Sequence, residues 1–155
     1  MPQKKSEERL LAAIHEIFSH KIPFNRVLGL EVVSLANEAP VLRFMMQPEL
    51  VGNFLRGTLH GGVISSVIDV TGGLTAFLGL QRKLHDVSLE ERLQRFERIG
   101  TIDMRVDYLR PGMGEWFEAR GYLLRTGNKV AVTRMELNNN KGELIAIGTG
   151  AYTVA

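Results

Sequence analysis

The residues of this 155-residue chain whose types and spacing suit catalysis are His60-Gly61-Gly62 and, nine positions after the histidine, Asp69. Backbone amides in the first turn of a helix lack intrahelical acceptors and carry partial positive charge. Gly61 and Gly62 at such a start would present N–H groups to a carbonyl oxygen that becomes negative, which is an oxyanion hole. Without a Cβ, glycine also lets a substrate approach the backbone. Asp69 adds a carboxylate able to act as base or nucleophile toward the activated carbonyl, and Asn53 stands in the loop before. Nine residues of helix rise roughly 13 Å with about half a turn of net rotation, so Asp69 cannot meet the Gly61 amide of its own chain. If the two act together, two chains share each site.

Other chemistries find no support. With no cysteine, disulfide frameworks, thiolate metal sites and cysteine nucleophiles are excluded. Histidines 15, 20, 60 and 85 show no metal-ligand spacing, so no metal is expected. There is no phosphate-binding glycine loop and no Gly-x-Ser-x-Gly elbow. Gly148-Thr149-Gly150 lies late in a strand with no helix after it. No cofactor is implied. A net charge of +2, from 19 Lys+Arg against 17 Asp+Glu, points to neither a nucleic-acid nor a membrane partner. The charged N-terminal run Met1–Arg9 is not followed by the apolar stretch of a secretory signal, so a soluble, cytoplasmic protein is expected.

The elements that must position these groups follow from periodicity. Val63 to Leu80 is apolar in nearly every direction, which predicts an enclosed helix; Ser65, Ser66, Asp69, Gly72 and Gly73 form its narrow face of small and polar groups. Before it, Leu10, Leu11, Ile14, Ile17 and Phe18 mark an amphipathic helix with Ser6 as N-cap. Glu31–Leu35 and Val41–Met46 read as two strands, followed from Pro48 by a loop through Gly52, Asn53 and Gly57. Ser88-Leu89-Glu90-Glu91 is a capping box opening a short helix. From Gly100 the period becomes two. Ile102, Met104, Val106 and Tyr108 alternate with Thr101, Asp103, Arg105 and Asp107, and three more strands follow, joined by turns at Thr126-Gly127-Asn128 and at 138–142. Gly148 and Gly150 share a face that permits close backbone approach. The expected fold class is α+β in one domain, 1–155, a curved antiparallel sheet of about six strands wrapped around a central helix, with N-terminal and inserted helices.

Thr58-Leu59-His60-Gly61-Gly62 with Asp69 resembles the signature of the hotdog-fold acyl-CoA thioesterases of the PaaI-like group. The likeness runs through Gly100–Gly112 and Leu124–Ala131 and covers nearly the whole chain from about Pro23; in detail it is similar to the bacterial medium- and long-chain acyl-CoA thioesterases. The resemblance implies edge-to-edge dimers, or dimers of dimers, with active sites at the interface. There the Asp69 position is general base or nucleophile, and the partner chain's Gly61 amide polarises the thioester carbonyl. Asn53 orients carbonyl or water, Thr101 assists the carboxylate, and His60 holds the loop or contacts the thioester region. Asn53 departs from the pattern, standing seven residues before His60 where better-known relatives have six. Gly62 and Ser65 are expected to touch substrate, and Arg110, Arg125, Asn128 and Lys129 to receive the coenzyme A phosphates. The longer segment 81–98 is expected to cap the acyl pocket or an oligomer face.

Two rival functions differ in class. A hydratase or dehydratase of the same fold needs a His paired with an acid across the site, and no Asp-x-Asn-Pro-x-His pattern is present. A non-catalytic acyl-CoA sensor has no use for an enclosed carboxylate, whose burial costs several kcal/mol unless it is hydrogen-bonded.

Overall fold

The apolar run after His60 forms helix α3 (Gly61–Gln81), long and apolar enough to cross a membrane, with a mean hydropathy of 1.7, yet 67% buried within the protein. The cover comes from a six-stranded antiparallel sheet. The structure is a computed structural model and describes residues 2–155, with side chains from Gln3 onward; Met1, first in the expected 1–155 domain, lies outside the described residues. Its elements are α1 (Pro2–Glu16), continued by a π-helical turn Ile17–Lys21, α2 (Pro23–Leu28), β1 (Glu31–Ser34), β2 (Val41–Met45), β3 (Val51–Asn53) and β4 (Thr58–Leu59). After α3 come α4 (Leu89–Gln94), β5 (Gly100–Tyr108), β6 (Trp116–Thr126), β7 (Val130–Asn139) and β8 (Leu144–Thr153). The sheet order is β1-β2-β6-β7-β8-β5, so β5 is an edge.

Helix and sheet approach closely because glycine lies beneath the helix. A Cβ at Gly121 would overlap the Thr75 hydroxyl, and one at Gly148 would overlap a methyl of Ile68. Leu74, Phe77, Phe117, Met135 and Leu137 fill the space between, all shielded from solvent. Leu10, Ile14 and Phe18 bring α1 and its π turn onto the same core. The capping box at Ser88 and Glu91 forms as expected and opens α4.

The structure corrects three expectations. Helix α1 begins at Pro2 rather than after Ser6; proline suits a first helical turn, whose amides lack acceptors, and Gln3, Lys4 and Lys5 are good helix formers that extend the helix backward. The expected loop before His60 contains a small hairpin, β3–β4, its turn closed by the Arg56 and Gly57 amides donating to the Asn53 carbonyl. And β5 does not alternate throughout. A bulge lies between Thr101 and Asp103, so Thr101 pairs with Tyr152 while Asp103 pairs with the adjacent Ala151. The extra residue turns Thr101 from the outer row, where strict alternation with Asp103 and Arg105 places it, to the face that looks at α3.

Candidate active site

Asp69 sits half-exposed on the small-residue face of α3. The bulged start of β5 brings the Thr101 hydroxyl to it, and Thr101 Oγ1 donates to Asp69 Oδ1 at 2.7 Å. Tyr152, from β8, is 1% exposed, and its hydroxyl lies 3.2 Å from both Asp69 Oδ1 and the Asp69 carbonyl. Burial first, and then the Asp69 charge and its hydrogen bond, push the Tyr152 phenol far above its ordinary range, so it stays a donor. Glycine makes room for the ring: a Cβ at Gly72 would overlap the Tyr152 hydroxyl, and one at Gly150 would come within 2.7 Å of its ring. Oδ1 is therefore held by two hydroxyls, whereas none of the described residues donates to Oδ2. Beside the carboxylate opens a cavity of about 220 Å³, lined by Phe18, Ile22, Phe24, Phe96 and Ile99, with the Phe18 and Phe96 rings in edge contact. Segment 81–98 thus reaches this cavity through Phe96, while α4 itself packs on α1.

The Gly61 amide belongs to the other end of β5. His60 is the N-cap of α3, and its Nδ1 accepts the Gly62 N–H at 2.8 Å, which places the ring proton of the neutral imidazole on Nε2. The Gly62 amide is thereby engaged at its own helix start, and a Cβ at Gly62 would meet His60 Nδ1 at 2.9 Å. The Val63 and Ile64 amides donate to the His60 carbonyl. In that first turn only the Gly61 N–H has no acceptor among the described residues, and Gly61 is exposed. Tyr108, near the end of β5, donates to the Gly61 carbonyl at 3.2 Å. Asn53, His60 and Gly61 line one open cleft. Asn53 Oδ1 accepts the Arg56 amide at 3.3 Å in an Asx-type turn, leaving its side-chain amide without an intrachain partner among the described residues.

The structure thus gathers Asp69 with Thr101, and Asn53 with His60 and Gly61, but holds the two groups at opposite ends of β5. Tyr152 joins the first group and was missed in the sequence, where it reads as one more inward residue of a strand. The Ser65 hydroxyl donates to the Gly62 carbonyl at 3.1 Å and is engaged by its own helix. Arg110 donates to the Leu144 carbonyl at 2.9 Å and lines a second opening with Gly61 and Tyr108. Arg125, Asn128 and Lys129 are exposed about the β6–β7 turn and line neither the cavity nor these clefts.

The family profile described as "Thioesterase superfamily" matches residues 56–146. The medium/long-chain acyl-CoA thioesterase YigI of Escherichia coli (strain K12) is 47% identical over 147 residues, 95% of each chain. Acyl-coenzyme A thioesterase 13 of Homo sapiens is 32% identical over 129 residues, 81% of this chain and 80% of that one. A crystal structure from Shewanella oneidensis, described as related to the thioesterase superfamily, superposes with a TM-score of 0.91 at 47% identity, covering 96% of this chain and 97% of the other.

Proposed function

The chain belongs to the thioesterase superfamily, and from that premise we propose that it hydrolyses acyl-CoA thioesters to a free acid and coenzyme A, medium and long acyl chains favoured. The observation that carries the reading is Asp69: a carboxylate with one oxygen held by the Thr101 and Tyr152 hydroxyls and the other left free at the mouth of an apolar cavity. The YigI relative's name supplies the acyl class. In the general-base route Asp69 takes a proton from water as the water oxygen adds to the thioester carbon. The carbonyl oxygen becomes negative and is met by the Gly61 N–H. Collapse breaks the C–S bond, and the sulfur leaves and is protonated. In the nucleophilic route an Asp69 oxygen adds to the thioester carbon, the C–S bond breaks and coenzyme A leaves as a thiolate that takes up a proton, and water then hydrolyses the resulting anhydride to the free acid and the Asp69 carboxylate. The reaction balances with water alone, so the reading includes neither cofactor nor metal.

The oxyanion donor must come from a second copy. Gly61 and Asp69 are eight residues apart on α3, about 12 Å along its axis. Strand β5 offers the means, because its outer edge carries unpaired backbone groups over nine residues, whereas the opposite edge, β1, has four. Antiparallel pairing of β5 with a partner's β5 forms a closed two-fold dimer. It sets the Gly61 end of one chain against the Asp69 end of the other, giving two sites. Homodimer or dimer of dimers, one domain over 1–155, and a cytoplasmic location belong to the same proposal. Arg110 is the cation placed beside the Gly61 cleft to receive a coenzyme A phosphate; Arg125, Asn128 and Lys129 are retained as outer contacts for the nucleotide. His60 caps α3 by accepting the Gly62 N–H, and hydrolysis is favoured over the hydratase alternative because the Asp-x-Asn-Pro-x-His pattern is absent.

The test is thiol release from a graded panel of acyl-CoAs, aromatic ones included. Turnover rising toward medium and long chains is expected. No release from any of them sinks the reading, and tight binding without turnover replaces it with a sensor.

A further inference from the structure

Among the described residues the most exposed large apolar side chains are adjacent: Phe54 and Leu55, each 84% exposed, at the tip of the β3–β4 hairpin. Such a tip in water is unfavourable, and contiguous exposed apolar surface marks a place where something else docks. The tip is also held stiffly. The Asn53 carbonyl accepts the Arg56 and Gly57 amides, Asn53 Oδ1 accepts the Arg56 amide again, and Gly57 takes the left-handed conformation (φ 66°) that closes the turn. At its base, the Leu59 amide donates to the Gly112 carbonyl at 2.9 Å, which ties the hairpin just beyond the end of β5.

The cavity beside Asp69 stands at the start of the same strand, with Ile99, Gly100 and Thr101 in its lining, and one wall is unfinished: Phe24 lines it and is 52% exposed, with Val27 exposed on the same short helix. An antiparallel β5 pair brings the end of one strand to the start of the other. The hairpin leads directly into α3 and Asp69 stands on α3, so both features lie on the helix side of their sheets. One two-fold therefore presents an apolar tip to an unfinished apolar cavity, twice.

We propose that the Phe54–Leu55 tip of each chain is the outer wall of the partner's acyl cavity, so that one subunit selects the chain length hydrolysed at the Asp69 of the other. This rests on the acyl-CoA reading and its shared site. The tip contributes contact with the distal methylenes of a long chain, which a short acyl group does not reach.

The experiment uses full-length heterodimers carrying two affinity tags, with palmitoyl-CoA and butyryl-CoA as probes and the ratio of their kcat/KM values as readout. In the first heterodimer one chain carries Asp69→Asn together with Phe54→Ala and Leu55→Ala, and the other is wild type. The working carboxylate then faces the altered tip, and the palmitoyl/butyryl ratio should fall about tenfold or more, the loss expected for removing two apolar contacts. In the second, Asp69→Asn is on one chain and the two tip changes on the other. The working carboxylate then faces an intact tip, and the ratio should match that of an Asp69→Asn/wild-type heterodimer. The reverse pattern, or equal ratios in the two, overturns the proposal, as does a monomeric wild-type protein in sedimentation. Absence of thiol release by the wild type from both probes is a distinct result: it removes the thioesterase reading itself. Both side chains are exposed within their own chain, so each variant chain should fold, and sedimentation of the two heterodimers checks that they stay paired.

Discussion

The two ends of β5 face the same helix and are built differently. The start is the more closed end: Thr101 and Tyr152 converge on one oxygen of Asp69, Gly72 and Gly150 are cut away to admit the tyrosine ring, and aromatic residues from α1's π turn and the inserted segment line a cavity unfinished on one side. The far end is the more open: among the described residues the Gly61 amide has no acceptor and the Asn53 side-chain amide no partner, and the hairpin tip stands in solvent. A carboxylate must be fixed in orientation within its own chain, since its hydrogen bonds set which oxygen remains reactive. A donor that meets developing negative charge need only be delivered, and a stiff hairpin on a neighbouring copy can deliver it. The contrast teaches that the fold completes half of the site by itself and leaves the other half for association.

Complementation puts the most weight on that contrast. Asp69→Asn preserves volume and hydrogen bonding, so the dimer should persist while kcat falls on the order of 10²-fold or more, as for loss of a general base or nucleophile. Gly61→Pro removes the unpaired N–H. It suits the place: residue 61 is the first of the helix, where proline is tolerated, and His60 already has the extended conformation (φ −62°, ψ 135°) that a residue before proline requires. Neither homodimer should turn over appreciably, whereas heterodimers should recover about half the wild-type rate, from the one site that unites both intact groups. Subunit exchange verified by mass spectrometry with no activity regained would place both groups in one chain and break the comparison.

How much of this was legible in the sequence differs between the same two ends. The helix start, the enclosed helix and its small-residue stripe follow from local pattern and stand in the structure. The capping box at Ser88 was equally readable, because its partners are three residues apart. What escaped depends on distant register. Nothing around Thr101 announces the bulge that turns it inward, since the polar-apolar alternation from 101 to 108 reads as unbroken. Tyr152 is 83 residues from Asp69, and only the placing of β8 against α3 joins them. The engagement of the Gly62 amide was hidden for a local reason: a histidine ring can cap a helix as well as touch a ligand, and spacing does not say which. The hairpin was hidden by brevity, with strands of three and two residues.

Thr101→Val sharpens the closed end. It keeps the shape and removes the hydroxyl that donates to Asp69 Oδ1 at 2.7 Å. A hydrogen bond to a charged group contributes about 1.5–3 kcal/mol, and because the Tyr152 hydroxyl still holds the same oxygen the loss should lie at the low end of that range, a drop in kcat of roughly tenfold, less than for loss of the carboxylate. Thr101→Ser, which keeps the hydroxyl, should recover most of the rate. Equal losses for Val and Ser would mean that packing, not donation, is what the bulge provides.

The smallest effect is one of stability and isolates Tyr152. Its phenol is raised above the ordinary value near 10 by burial and by the Asp69 charge, so in strong alkali the folded chain keeps a proton that the unfolded chain has lost. A raised folded-state value gives stability that is complete below the unfolded pKa and declines once the pH exceeds it. The melting temperature of the wild type should accordingly fall more steeply above about pH 10 than that of Tyr152→Phe, which has no proton to lose there. Tyr108 and Tyr122 are common to both proteins, so their titration cancels in the difference. Below pH 9 the two curves should run parallel, offset by the loss of the hydrogen bond to Asp69, about 1–3 kcal/mol. Parallel curves through pH 11 would show the phenol to be as free to ionise when folded as when unfolded. The closed end would then be no more sealed than the open one.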